Sequence, residues 1–232
     1  MKKIVVLTGA GISAESGVMT FRGNGGLWEK YDISEVASIQ GWEKDPELVL
    51  EFYNLRRRQL KEVEPNDAHR ALVALERDYE VTIITQNVDD LHERGGSARI
   101  LHLHGELRKV RSTKDEKLVY WWEKDLVIGD LCEKGSQLRP HIVWFGEPVP
   151  LIYTAADLVA DADIVLIIGT SMQVYPAASL VGFAKPEAQV YYIDPDPTFN
   201  EELEQTLDLE VIAEAASSGV PKLVNRLLAH PG

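Results

Sequence analysis

Short apolar runs rich in β-branched residues recur along the chain at 4–8, 81–85, 100–103, 142–145, 164–168, 190–193 and 209–212. Between them, apolar positions repeat near every 3.6 residues, with Pro or Asp at the starts, over 46–62, 68–78, 152–161, 176–184, 199–206 and 220–229. That alternation predicts an α/β fold, a parallel sheet with helices on both faces. The segments 22–42 and 108–140 break the rhythm without supplying a clean strand–helix unit. They read as a small inserted domain beside the sheet.

The strand ends carry more chemistry than the strands. They run into Gly9-Ala10-Gly11, Gln86-Asn87-Val88-Asp89, His104-Gly105, Phe145-Gly146-Glu147, Gly169-Thr170-Ser171 and Asp194-Pro195. Polar loops at the carboxyl ends of parallel strands are where such sheets bind ligands. The first is the most explicit: the strand 4–8 is followed by Gly9-Ala10-Gly11-Ile12-Ser13-Ala14, a G-x-G-x-x-A spacing that opens a helix. Its glycines let backbone N–H groups approach a pyrophosphate, although the same spacing also serves as a plain tight turn. A hydride-transfer enzyme of the Rossmann type places a second strand and a ribose-binding acid about 20 residues on. Here that region is Thr20-Phe21-Arg22-Gly23-Asn24-Gly25-Gly26-Leu27-Trp28, a polar loop. The dinucleotide is therefore expected to be held but used differently, with Phe21, Arg22 and Trp28 closing over its reacting end.

Composition narrows the partners. At 232 residues the chain is long enough to bury roughly 70–75% of its unfolded surface, so its core needs neither disulfide nor metal. A formal charge of −13 argues against a phosphate-backbone footprint, which needs clustered Lys and Arg. The apolar run at 4–7 is too short for a signal segment or a membrane span. Cys132 is the one cysteine, so no disulfide can form within the chain and a reducing, cytoplasmic location is expected.

Taken in order, Gly9-Ala10-Gly11-Ile12-Ser13-Ala14-Glu15-Ser16-Gly17, Phe21-Arg22, Thr85-Gln86-Asn87-Val88-Asp89, His102-Leu103-His104-Gly105, Leu138-Arg139-Pro140, Val143-Trp144-Phe145-Gly146-Glu147 and Gly169-Thr170-Ser171 resemble the sirtuin series of motifs. The resemblance runs from Ile4 to about Leu228 and points to the bacterial desuccinylase and demalonylase class. It implies one catalytic domain over 1–232, with a Rossmann-like core at about 1–21, 80–107 and 140–232 and a small subdomain from about 22–79 and 108–139. It also implies an NAD-dependent protein-lysine deacylase that yields nicotinamide, O-acyl-ADP-ribose and free lysine. Its partners would be acylated protein or peptide lysines.

Residue by residue, the resemblance puts NAD against Gly9 to Glu15, Phe21, Arg22, Trp28, Gln86, Asn87, Val88, Asp89, Gly169, Thr170 and Ser171, with Asp194 near the adenine ribose and Ala216 near the adenine. In sirtuins the acyl oxygen attacks the nicotinamide ribose, nicotinamide leaves, and a histidine helps the ribose hydroxyls attack the product of that step. The matching residue is His104, with Asn87 and Asp89 as catalytic partners in the nicotinamide pocket. Period-2 geometry puts His102 and His104 on one strand face, so geometry alone does not separate them. Asn87 and Asp89 can equally cap the helix starting near Asp90, and both roles can hold together. Val143, Phe145 and Gly146 match the family's peptide-binding block.

Two departures matter. Most sirtuins carry two Cys-x-x-Cys pairs around a structural zinc, whereas Cys132 stands alone here and no His lies between His104 and His141. No zinc is expected, and apolar packing around Val119-Tyr120-Trp121-Trp122 is expected in its place. Thr20 also precedes Phe21-Arg22 where deacetylase-type members have Asp. Within the helix at 46–62, Tyr53 and Arg56 are spaced i, i+3 and share a face. Read alone, such an arginine cluster is a solvated face. The Tyr-x-x-Arg match to the acidic-acyl subgroup assigns Tyr53 and Arg56 to a terminal acyl carboxylate and leaves Arg57 and Arg58 to the surface. The competing readings are a plain deacetylase, an ADP-ribosyl-transferring sirtuin, and a noncatalytic NAD-binding sensor.

Overall fold

The computed structural model describes residues 1–20 and 30–230. Six parallel strands form the main sheet: β1 (Lys3–Thr8), β2 (Glu80–Thr85), β3 (Ile100–His102), β7 (Ile164–Ile168), β8 (Gln189–Ile193) and β9 (Leu209–Ile212). Their order is β3-β2-β1-β7-β8-β9. The chain winds outward one way from β1 and the other way from β7. The topological switch point, where open α/β sheets bind ligands, therefore lies between β1 and β7.

Successive residues of β1 point to opposite faces, and both faces are covered. Ile4 and Val6 join a core with Leu72 and Leu75 of α5 (Asp67–Leu75) and Leu223 and Leu227 of α9 (Ala216–Ala229). Val5 and Leu7 pack on the other side against Ala155 and Val159 of α7 (Ile152–Ala160) and Leu180 and Val181 of a 3-10 helix, Ala177–Phe183. Two-sided burial explains why these strands read as continuous apolar runs rather than alternating ones.

The smaller unit holds an antiparallel sheet in the order β5-β4-β6, made of β4 (Gly105–Ser112), β5 (Val119–Trp121) and β6 (Leu138–Ile142). The run at 142–145, expected in the parallel sheet, is thus corrected: the strand is Leu138–Ile142, and it pairs with β4. Trp144 and Phe145 lie beyond it, where the Phe145 N–H donates to the Ala37 carbonyl at 2.9 Å. Among the described residues, three helices belong to this unit: α2 (Ile33–Val36), α3 (Ile39–Lys44) and α4 (Pro46–Gln59). Pro46 opens α4 at a position whose N–H would be orphaned, and the Asp45 carboxylate accepts from the Leu48 N–H.

Arg57, read as a surface residue, is buried: Nε donates to the Leu107 carbonyl and Nη1 to Asn54 Oδ1, each at 2.8 Å. Arg58 is the exposed one, paired with Asp125 and Glu51. The helix expected over 199–206 contracts to α8 (Glu201–Glu204), and the last helix starts four residues before the expected 220, at Ala216.

Candidate active site

A cavity of about 420 Å³ opens at the carboxyl ends of the parallel strands and runs between the two units. Its floor is two interlocked loops. The Gly11 N–H donates to the Gly169 carbonyl at 2.8 Å. A Cβ on Gly9 would sit 2.6 Å from that carbonyl oxygen, and one on Gly11 would sit 2.7 Å from the Gly169 Cα. Gly169 itself has φ of +60°, and a Cβ there would be 2.3 Å from the Ile12 nitrogen. Only glycine fits at this crossing.

Next to the floor, Asn87 Nδ2 donates to the Gly9 carbonyl at 2.9 Å and reaches Ser13 Oγ at 3.3 Å. Gln86 Nε2 donates to Thr170 Oγ1, and the Tyr192 hydroxyl donates to the Thr170 carbonyl. Asp194 lies at the end of β8 with its carboxyl pushed up by burial, while it accepts from the Asp196 N–H. A half-desolvated carboxylate of this kind gains from a hydroxyl donor, as a ribose supplies. A floor on which any Cβ would clash, with this carboxylate beside it, fits a dinucleotide.

His102 and His104 separate clearly. After β3 the chain bends, and His104 lines the cavity. Its Nδ1 lies 3.1 Å from the Gln86 carbonyl, which fixes Nδ1 as the protonated nitrogen and leaves the Nε2 lone pair for the cavity. Burial holds its pKa below the ordinary histidine value. His102 instead bridges the Asn87 carbonyl and Glu93, whose carboxylate raises its pKa against the opposing effect of burial.

On the opposite wall, Tyr53 and Arg56 of α4 both line the cavity and both are buried. Burial pushes the Tyr53 hydroxyl up to about 12, and Trp144 Nε1 donates to it at 3.1 Å. Burial also lowers the pKa of Arg56, with Tyr53 and Asp89 the nearby groups that oppose the shift. Asp89 is buried, is pushed up by desolvation, and accepts from the Leu91 N–H at the start of α6 (Leu91–Gly95).

The cavity thus gathers Gly9, Ala10, Gly11, Gln86, Asn87, Val88, His104, Gly169, Thr170, Ser171, Asp194, Tyr53, Arg56, Val143, Phe145 and Gly146 of the sequence-derived residues. Ile12, Ser13, Ala14, Glu15, Asp89 and Ala216 do not line it. Among them, Glu15 accepts from the Ser217 backbone N–H and hydroxyl, tying α1 (Ala10–Ala14) to the start of α9. Phe21, Arg22 and Trp28 lie outside the described residues. Thr20, Ala37, Trp144, Tyr175, Asp196 and Thr198 also line the cavity. The only sequence signal for Trp144 was its place inside the Val143-to-Glu147 block.

A family model described as Sir2 family matches residues 9–176. A Helicobacter pylori (strain J99) protein named NAD-dependent protein deacylase is 60% identical over 226 residues, 97% of this chain and 96% of the relative. A Bacteroides thetaiotaomicron protein of the same name is 50% identical over 237 residues and all of both chains. Among solved structures, a complex of a Sir2 homologue with NAD superposes with a TM-score of 0.88 at 41% identity, covering 100% of this chain and 91% of the other.

Proposed function

The chain belongs to the Sir2 family and is an NAD-dependent protein deacylase, and on that premise we propose that it preferentially removes succinyl and malonyl groups from protein lysines. The observation that carries this reading is the pairing of Tyr53 and Arg56, buried side by side on the cavity wall. A guanidinium stays charged even when burial lowers its pKa, and a desolvated cation gains most from a carboxylate that meets it bidentately. An acetyl group brings no carboxylate to this wall.

NAD supplies an electrophilic ribose carbon with nicotinamide as its leaving group. The chain's own residues do the rest. Gly9, Gly11 and Gly169 form the surface on which the pyrophosphate lies, and Asp194 accepts from the adenine ribose. Asn87 orients the nicotinamide end, and Asp89, outside the cavity lining, buttresses it through Ser13. Neutral His104 takes a proton from a ribose hydroxyl at Nε2 while its Nδ1–H stays on the Gln86 carbonyl. Exposed Phe145 and Tyr175 stand at the cavity and receive the peptide carrying the acyl-lysine. Residues 1–232 act as one catalytic domain, with the parallel sheet holding NAD and the smaller unit supplying the acyl wall. A cytoplasmic setting belongs to the same reading and is supported by the single, buried thiol; no helix among the described residues is long and apolar enough to cross a membrane.

Matched peptides bearing succinyl-, malonyl- or acetyl-lysine test the proposal. With a net charge of −13 the molecule offers no long-range attraction to an anionic acyl chain, so a preference must come from local cations. We expect kcat/KM for the acidic acyl groups to exceed that for acetyl by roughly 10–150-fold, the equivalent of one charge-assisted contact of about 1.5–3 kcal/mol. Arg56→Met combined with Tyr53→Phe reverses the order. An identical acyl ranking in wild type and double mutant would leave a deacylase without acidic-acyl selectivity.

A further inference from the structure

We propose that Trp144 is a positioning residue that sets acyl selectivity by aiming the Tyr53 hydroxyl, an inference that rests on Tyr53 and Arg56 receiving the acyl carboxylate. An indole nitrogen only donates, so in the 3.1 Å contact between Trp144 Nε1 and the Tyr53 hydroxyl the phenolic oxygen is the acceptor. The phenolic proton must then point away from Trp144. Among the described residues the hydroxyl donates no hydrogen bond, and both side chains line the cavity. The one hydrogen bond Tyr53 has left to donate is offered to whatever enters.

Trp144 is held hard enough to do this. The Arg139 guanidinium lies over its ring, 3.3 Å from the centroid. Arg139 in turn donates to both oxygens of Glu147 at 2.8 and 2.9 Å and to the Ile142 carbonyl. Glu147 also accepts from the Trp144 backbone N–H at 2.7 Å and from Arg111 at 3.0 Å. The indole is therefore fixed at its backbone and on one face by a single buried ion-pair network. Trp42 packs at 5.7 Å between ring centroids. A phenol that desolvation keeps protonated, whose oxygen is already occupied, works as a preset donor to a carboxylate rather than as a free rotor.

The test removes one hydrogen bond and keeps the ring. Trp144→benzothienylalanine replaces the indole N–H with sulfur and preserves the surface on which Arg139 stacks. Trp144→Phe serves as a second, genetically encoded variant, with its fold checked by near-UV circular dichroism. The readout is the succinyl-to-acetyl ratio of kcat/KM in wild type, in each Trp144 variant, in Tyr53→Phe, and in the combinations. We expect the isostere to lower the ratio by about 3–10-fold, the size of one lost neutral hydrogen bond. The loss should lie in KM for the succinyl peptide and not in kcat, and it should vanish in the Tyr53→Phe background. If Tyr53→Phe lowers the ratio but the isostere leaves it at the wild-type value, Trp144 does not aim the hydroxyl. An isostere effect of equal size with and without the Tyr53 hydroxyl overturns the proposal too, since it then does not run through Tyr53. If Tyr53→Phe itself leaves the ratio untouched, the Tyr53 hydroxyl does not read the acyl carboxylate and the role of Trp144 falls; a wild-type ratio near one means instead that the acidic-acyl reading itself fails.

Discussion

The two histidines two positions apart show how little a residue type says before its partners are known. His102 ends β3 and is tied between Asn87 and Glu93, whereas His104, just past the strand, gives Nδ1 to the Gln86 carbonyl and faces the cavity. Burial lowers the His104 pKa, so the imidazole is neutral, and able to act as a base, throughout the range above the ordinary histidine value. The sign follows directly: the active form is lost only when pH falls through the depressed pKa, so the acid limb of kcat/KM belongs below the ordinary value of 6.5. We expect His104→Ala to lower deacylation by about 10²–10⁴-fold while calorimetry shows NAD still binding. An acid limb above 6.5, or equal loss in His102→Ala, would reassign the base. Only the family resemblance could prefer His104 from sequence. The partner that fixes its tautomer is a backbone carbonyl 18 residues away, which leaves no trace in residue type.

At the level of elements, strands buried on both faces were legible because two-sided burial writes an unbroken apolar run. The small sheet was not: β4 is rich in charged residues, β5 is only the three residues Val119–Trp121, and their partner strand, β6, is separated from β5 by a loop carrying Cys132. The same ambiguity misplaced the run at 142–145, where Ile142 ends one strand and Val143 and Trp144 turn into the site. The glycine loops were legible as motifs, but their interlock was not, since Gly169 lies 158 positions beyond Gly11 and meets it only after β7 pairs with β1. That crossing makes a sharp prediction. Gly169→Ala puts a methyl group against the Ile12 nitrogen at a positive φ, so we expect about 1–3 kcal/mol of lost stability in urea unfolding and loss of NAD binding. A variant that binds NAD normally would mean that the two loops can part without consequence for the cofactor.

Across the whole molecule, the smaller unit must hold its own helix, loop and sheet together without the Cys pairs of a structural zinc site. Cys132 is 5% exposed and packs with Leu50, Val110, Leu126 and Leu138, against which Trp42, Tyr120 and Trp122 close. Leu50 belongs to α4, so this cluster joins the far loop to the helix that carries Tyr53 and Arg56. Asn54 on the same helix clasps Leu126 at both ends of its amide, donating to the carbonyl at 3.0 Å and accepting from the N–H at 2.9 Å. Among the described residues, the one His and Glu grouping with metal-like spacing is Glu93, His102 and Glu106. It is already satisfied by the His102–Glu93 pair and by Lys109 on Glu106 at 2.6 Å. Apolar burial and a side-chain clasp thus stand where a four-ligand site would need ligands this chain lacks. Strong chelator should accordingly leave the melting temperature and the turnover of a succinyl peptide unchanged, and elemental analysis should find well under one zinc per chain. Leu126→Ala, by contrast, should cost about 2–5 kcal/mol in urea unfolding by opening a cavity in that cluster. Zinc near one equivalent, or a chelator-induced fall in melting temperature, would show that a metal and not this packing sets the position of the acyl wall.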